Sequence, residues 1–150
     1  MYPSRSMNIR KARPEDGPAV GGIHTLCRGE MAYAPSPHSE GEIVRYFTEH
    51  VVPAGETYVV ENEAGVVAYL SLAPGWIEHL YVHPDAQGRG IGNALLALAK
   101  ETNPGGLQLW TFQGNAGARR FYERHGFQAA EFTDGQGNEE RSPDVRYVWP

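Results

Sequence analysis

A single cysteine, Cys27, leaves this 150-residue chain without an internal disulfide framework. Long apolar runs are missing too. The uncharged stretch Ala64 to Ile77 is too short, and too rich in glycine and proline, to span a membrane. The start, MYPSRSMNIRKARPEDG, has no apolar core of signal-peptide length. Repeats with a period of roughly 20–50 residues are absent, which excludes the solenoid classes, and so are low-complexity tracts. These absences together point to a cytoplasmic protein with no membrane partner. The length suits one domain, because a split would leave two pieces too small to bury a core unaided. Residues 1–7 read as a disordered leader and 8–150 as the domain.

An excess of positive charge is also lacking. The net charge is −5, from 13 basic and 18 acidic residues, so the chain as a whole is a poor nucleic-acid binder. The middle runs against that balance. Residues 86–126 carry Arg89, Lys100, Arg119, Arg120 and Arg124 against only Glu101 and Glu123. Such a segment suits a small, highly anionic ligand, although local asymmetry of this size is also common in chains that bind none.

Hydrophobic periodicity supplies the element order. Asn8 to Arg13 alternates as a first strand. A helix from Pro14 to about Ala32 places Ala19, Val20, Ile23, Leu26 and Cys27 on one face, against the weakening effect of Gly21 and Gly22. A second helix runs from about Glu40 to Val51. Glu56 to Glu61, Val66 to Leu72 and Trp76 to Val82 form a meander of strands joined by turns at 62–65 and 74–75. The order then switches. A helix over Gly90 to Glu101 buries Ile91, Ala94, Leu95, Leu98 and Ala99, and Leu107 to Phe112 is the next strand. A helix over Asn115 to His125 ends at Gly126, and strands at Phe127 to Phe132 and Val145 to Trp149 finish the chain. Antiparallel strands first and a βαβ crossover later give an α+β, or mixed α/β, sheet.

The chemistry concentrates at Gln87-Gly88-Arg89-Gly90-Ile91-Gly92, between a strand and a helix N-terminus. Three alternating glycines remove every Cβ that would hold a phosphate away from the backbone. Successive free N–H groups and the helix dipole then favour an anion, most plausibly a pyrophosphate. A bare glycine-rich turn is the competing reading. Two nucleotide loops are excluded: a Walker loop needs lysine where Asn93 follows Gly92, and the dinucleotide fingerprint needs a glycine at Asn93.

LYVHPDAQGRGIGNALL resembles the acetyl-coenzyme A signature of the GCN5-related N-acetyltransferases, whose Gln/Arg-x-x-Gly-x-Gly/Ala pattern is met by Gln87, Gly90 and Gly92. A second segment similar to that family, LWTFQGNAGARRFYERHGFQ, follows at the expected separation. The resemblance covers about Asn8 to Trp149 and is sharpest from Trp76 to Phe127. It implies a single domain with a mostly antiparallel central sheet, a splayed parallel pair and flanking helices. It further implies that acetyl-coenzyme A enters between two parallel strands as cosubstrate, and that its acetyl group moves directly to an amine of a small molecule or peptide. A catalytically silent acyl-coenzyme A sensor remains the alternative.

The same resemblance distributes roles. Gln87, Gly88, Arg89, Gly90, Ile91, Gly92 and Asn93 would hold the pyrophosphate. Leu80, Tyr81 and Val82 would pair with the pantetheine arm like an added strand, with the Val82 N–H polarising the thioester carbonyl. Tyr122 would protonate the departing thiolate. Read independently, Asn115 is a good N-cap, and Ala118, Arg119 and Tyr122 share its helix face, which makes Arg119 a better phosphate candidate than Arg120. A phenol with an ordinary pKa near 10 can donate at neutral pH; the bland reading of Tyr122 is a core aromatic. Glu78 is the first choice of base for the amine, on the face taken to be shared by Leu80 and Val82. His79 and Tyr81 stand behind it, and a solvated carboxylate is the alternative for Glu78.

Metal chemistry is not expected. His79 and His83, four apart on a strand, lie roughly 13 Å from each other. His24 and Cys27 are two potential ligands with no partners and read as core packing. In the resembling family the acceptor side is built by the loop after the first helix, here Met31 to His38, and by the loop between the last two strands, here Thr133 to Asp144. The second carries Asp134, Glu139, Glu140 and Asp144, which favours a cationic amine without choosing one. A homodimer is a reasonable expectation for a soluble enzyme.

Overall fold

The computed structural model describes residues 7–150. The expected leader falls outside the described residues except for Met7, which packs against the core. Seven strands form one sheet: β1 (Asn8–Lys11), β2 (Thr57–Asn62), β3 (Gly65–Ala73), β4 (Trp76–Val82), β5 (Leu107–Phe112), β6 (Gln128–Phe132) and β7 (Asp144–Trp149). Their order is β1-β2-β3-β4-β5-β7-β6, and every neighbouring pair is antiparallel except β4 and β5. The expected mixed sheet with one parallel pair is therefore present.

Among the described residues, four α-helices cover it: α1 (Gly17–Gly29), α2 (Glu40–Tyr46), α3 (Ile91–Thr102) and α4 (Ala116–Arg124). On one face, Val20, Ile23 and Cys27 of α1 and Ile43 of α2 bury Val59 and Tyr69 of the sheet. On the other, Ile91, Leu95, Leu96 and Ala99 of α3 and Tyr122 of α4 join Leu70, Leu107, Leu109, Val145 and Tyr147.

Several boundaries differ from the sequence expectation for local reasons. The segment Pro14–Asp16 forms a 3-10 turn before α1, held by an Asp16 carboxylate that accepts from the Arg13 N–H at 2.7 Å and from Arg10. α1 stops at Gly29 rather than Ala32, because Met31 N–H turns back to the Arg28 carbonyl and Ala34 N–H to that of Met31. Leu26 is exposed and drops out of the buried face. Gly21 has a packing reason: a Cβ there would sit 2.7 Å from the Val44 Cα, so the glycine is what lets α1 and α2 approach. The second helix becomes a π turn over Phe47–Val51, where Val52 N–H reaches the Phe47 carbonyl. That turn keeps Phe47 buried against Tyr69.

The strand pair that matters for the site barely pairs at all. β4 and β5 share one register position, Trp76 with Gln108. Gln108 N–H donates to the Gly75 carbonyl at 2.9 Å, and Gly75 N–H donates to Asn103 Oδ1 at 3.0 Å, which ties the closed end of a V. Beyond it the strands separate toward their carboxyl ends.

Candidate active site

The opening between β4 and β5 is a cleft of about 720 Å³. Its walls are β4 from Ile77 to Val82, β5 from Leu109 to Phe112, the start of α4, the end of α1 and the β6–β7 loop. Gln87 and Gly92 line the end where it meets the glycine-rich loop.

Register shows which β4 groups face this cleft. His83 N–H donates to the Val67 carbonyl at 2.7 Å, while Val82 stands opposite Ala68. In an antiparallel ladder this makes Val82 and Ala68 a non-hydrogen-bonded pair, so the Val82 N–H and C=O turn away from β3. Leu80, two residues back and opposite Leu70, is turned the same way. Both therefore aim their main-chain groups into the splay. The Val82 carbonyl is already engaged, by the Gln87 side chain at 3.1 Å and the Cys27 thiol at 3.4 Å. Its N–H is the free group.

The expected side-chain alternation fails at one point. The β3–β4 register slips between Ser71 and Leu72: Ser71 faces His79, Leu72 faces Ile77, and Glu78 between them has no partner. This bulge puts Ile77, not Glu78, into the cluster with Leu80 and Val82. Glu78 is exposed and lines the cleft as the bulged residue. It sits at the splay as anticipated, although simple two-residue periodicity was the wrong reason.

The glycine-rich loop adopts the required conformation. Gly88 and Gly90 take φ values of 80° and 82°, a region that side chains with a Cβ avoid. Gly90 is the N-cap of α3. Among the described residues, no acceptor is bonded to the N–H groups of 88 through 93; the first amide to find one is Ala94, which donates to Gly90. Ile91 contributes only its N–H, since its side chain is buried in the core. Gly88, Arg89 and Asn93 are exposed.

On α4, Asn115 Oδ1 caps the helix by accepting from Ala118 N–H at 3.1 Å, and both residues line the cleft. Tyr122 lines it as well. Its ring is buried against Phe121, Phe127 and Tyr147. Its hydroxyl makes no hydrogen bond among the described residues, yet the one fully enclosed side-chain polar atom left unpartnered there is Thr48 Oγ1. The phenol oxygen therefore faces the opening. Burial raises its pKa above the ordinary phenol value, with the neighbouring Tyr81 adding to the effect.

Arg119 does not join this wall. Its Nε donates to the Tyr147 hydroxyl at 3.1 Å and its guanidinium lies over Phe132. Sharing a helix face with Asn115 was not enough, because a long side chain follows its hydrogen-bond partner rather than the direction of its Cβ.

His79 and Tyr81 line the cleft on the α1 side, in a cluster with His24, Phe47 and Tyr69. Burial pushes the His79 imidazole down to about 4 and lifts the Tyr81 phenol to about 12. Desolvation, helped by His79 and Arg28, takes His24 to about 3, and its Nδ1 lies 2.8 Å from the Tyr69 hydroxyl. Burial likewise raises the Cys27 thiol to about 11. Cys27 packs in the α1 face of the core, and His24 stands beside Phe47, His79 and Tyr81.

The far end of the cleft was not readable residue by residue. Glu30, Met31 and Tyr33 approach it from one side, and Asn138, Glu140 and Asp144 from the other. Buried Arg28 joins the two sides: it donates to the Ala34 carbonyl at 2.8 Å and pairs with Glu140 at 3.2 Å. His38 meets Glu139 at 3.2 Å. The β6–β7 loop is ordered internally by Asn138, which bonds the Ser142 carbonyl and Asp144, and by a Thr133–Asp144 hydrogen bond.

A splayed parallel pair, a loop of unpaired amides at a helix start and a buried tyrosine between them are the marks of an acyl-coenzyme A transferase fold. Residues 53–129, just over half of the chain, match the family model of the acetyltransferase (GNAT) domain, and the chain belongs to that family. It is 30% identical over 77 residues to the peptidyl-lysine N-acetyltransferase YiaC of Escherichia coli, covering 51% of this chain and 52% of that protein. It is 40% identical over 63 residues to the uncharacterized N-acetyltransferase MJ1207 of Methanocaldococcus jannaschii, covering 39% of this chain and 28% of the relative. The matched segments thus span about half or less of these relatives. Among solved structures, yncA from Salmonella typhimurium, determined with its cofactor acetyl-CoA, superposes with a TM-score of 0.72 at 20% identity, over 95% of this chain and 92% of that one. No helix among the described residues is long and apolar enough to cross a membrane.

Proposed function

We propose that this protein is an N-acetyltransferase that moves the acetyl group of acetyl-coenzyme A directly to an amine. The observation that carries this reading is the presence, along one cleft and the glycine-rich loop at its end, of three kinds of unengaged donor. They are the amides of residues 88–93, the Val82 N–H and the Tyr122 hydroxyl. Family membership and the acetyl-CoA-bound neighbour support the choice of ligand.

The residues fit the cosubstrate. Gly88, Arg89, Gly90, Ile91, Gly92 and Asn93 offer main-chain N–H groups to the diphosphate at the positive end of α3. Leu80 and Val82 offer an open strand edge to the pantetheine amides. The bound thioester supplies the acyl group. Val82 N–H stabilises the negative charge that builds on its carbonyl oxygen. Glu78, exposed at the mouth of the splay, takes the proton that frees the amine lone pair, directly or through water. As the new C–N bond forms and the C–S bond breaks, Tyr122 donates to the sulfur. A buried phenol stays protonated at neutral pH, so Tyr122 acts first as a hydrogen-bond donor to the developing thiolate, and its proton follows. The second amine proton restores the Tyr122 hydroxyl and the proton taken by Glu78 passes to solvent, which gives amide, thiol and one released proton. His79 is a poor base here, since burial disfavours its charged form.

Thiol release from acetyl-coenzyme A with a panel of amines tests this. Turnover on at least one amine is expected, together with thermal stabilisation by acetyl-coenzyme A. At about 100 times its dissociation constant a ligand adds about 2.7 kcal/mol. Stabilisation without turnover on any amine, and without any effect of Tyr122→Phe, makes the protein a sensor instead.

A further inference from the structure

We propose that the acceptor is a small linear diamine or oligoamine, whose second ammonium is held at the far end of the cleft by Glu30, with Glu140 beside it. This rests on the acetyl-transfer reading above and names its substrate class.

Among the described residues, the charges lining the cleft are one-sided: Glu30, Glu78, Glu140 and Asp144 line it, and neither a lysine nor an arginine does. Its one imidazole, His79, is held neutral by burial. Two of the four carboxylates are committed. Asp144 is bonded by Asn138 and Thr133, and Glu140 is matched by the buried Arg28. Glu30 and Glu78 have neither a hydrogen-bonded nor an ion-paired partner among the described residues, and they stand on different walls, one after α1 and one on β4. An acceptor with a single charge leaves one of them unanswered.

Glu30 is also badly placed for the fold. It is the first residue beyond the carboxyl end of a 13-residue helix, where the dipole disfavours an anion. A cation there meets both the carboxylate and the negative end of the helix dipole. Apolar surface lies alongside: Trp110 and Tyr33, each more than 40% exposed, line the same cleft with Phe112. These are faces suited to a methylene chain or an ammonium. The Tyr122 hydroxyl, unpartnered on a side chain only 7% exposed, opens into the same cleft and independently marks it as a ligand site.

The two sides of this end are tied together. Arg28–Glu140 joins the end of α1, and His38–Glu139 the α1–α2 loop, to the β6–β7 loop, so Glu30 and Glu140 line the same end of the cleft.

The test compares thiol release with 1,4-diaminobutane, 1-aminobutane, Nα-acetyl-lysine methylamide and a lysine-containing peptide. At low salt, kcat/KM for the diamine should exceed that for the monoamine by about tenfold, chiefly through KM, and the gap should narrow in about 0.5 M salt. Glu30→Gln should bring the ratio close to one. Asp134→Asn, which removes a charge from the same loop region without lining the cleft, should keep it. Acetyl-coenzyme A stabilisation confirms that each variant is folded. Equal kcat/KM for the two butylamines, or better turnover of the peptide, overturns the diamine assignment while leaving acetyl transfer intact. Absence of turnover on every amine together with absence of stabilisation by acetyl-coenzyme A overturns both.

Discussion

The two ends of the cleft are built in different materials. In the reading proposed above, the recognising groups at the end by the glycine-rich loop, the phosphate-facing end of that reading, are main-chain amides, those of residues 88–93 and of Val82. At the other end, the amine-facing end of that reading, they are side chains, brought together from the end of α1 and the β6–β7 loop. A main-chain site is set by glycine spacing and strand register, both local in the sequence. A side-chain site depends on contacts such as Arg28 with Glu140, which are 112 residues apart. The first kind serves a constant ligand and the second can be retuned without disturbing it.

The sharpest test lies where the ends meet. Tyr122→Phe removes a hydroxyl that bonds no other residue described, so the fold should stand and acetyl-coenzyme A should still stabilise it. Steady-state kinetics should show kcat down by about 10²–10³, in the range for loss of a positioned proton donor. Glu78→Gln should lower kcat by about 10² at neutral pH, with partial recovery at higher pH as more free amine is present. A wild-type rate in either variant would remove that residue from the chemistry.

Next is the main-chain end. Gly90 takes φ of 82°, where a β-branched residue is strained by roughly 1–2 kcal/mol or more. Gly90→Val should therefore turn the 88–93 amides out of alignment. Acetyl-coenzyme A affinity, read by calorimetry, should fall about tenfold, with the diamine KM unchanged at saturating cosubstrate. If both KM values move together, the two ends are not independent.

That division also explains what could be read beforehand. The order of elements along the chain, the βαβ crossover and the helix after Gly90 follow from hydrophobic periodicity and glycine position, the splay from the family resemblance, and Asn115 caps α4 as its residue type suggests. The errors arose where one contact overrode periodicity. The bulge at Glu78 moved Ile77 into the Leu80 cluster, and Tyr147 drew Arg119 away from the phosphate side. Arg28 is an unremarkable helix residue in the sequence. Only folding reveals that it is buried and bridges two loops. Tyr33 and Glu140 lay within the two loops that the resemblance assigned to the acceptor side, whereas Glu30, just before the first of them, carried no local signal.

At the amine-facing end, stability and recognition are coupled. Glu140→Gln leaves the Arg28 guanidinium buried with a neutral partner. Loss of one member of a buried pair is costly, and Glu140 is itself partly exposed, so a loss of about 1–2 kcal/mol is expected in denaturant unfolding. Asp134→Asn, on the same loop and exposed, should cost less than about 0.5 kcal/mol. Equal losses would mean that the loop, not the Arg28 pair, bears the effect.

A further effect concerns pH. Behind the amine-facing end, His79 and His24 sit among Phe47, Tyr69 and Tyr81, with Arg28 the nearby fixed charge. Folding depresses both imidazoles from the ordinary 6.5, His79 to about 4 and His24 to about 3. On acidification the unfolded chain takes up these protons first. The stabilisation is therefore complete above about pH 6.5 and is lost as the pH falls toward 4, by at most about 1.4 kcal/mol per pH unit for each imidazole. Between pH 7 and 5.5 the melting temperature should drop by a few degrees. His79→Phe, which keeps a ring in the cluster, should flatten that slope by about half. The Arg10–Asp16 pair also loses stability in acid, but its carboxylate is held below the ordinary range and titrates beneath this window. An unchanged slope in His79→Phe would place the acid sensitivity outside the cluster and leave the amine-facing end as insensitive to pH as the main-chain end.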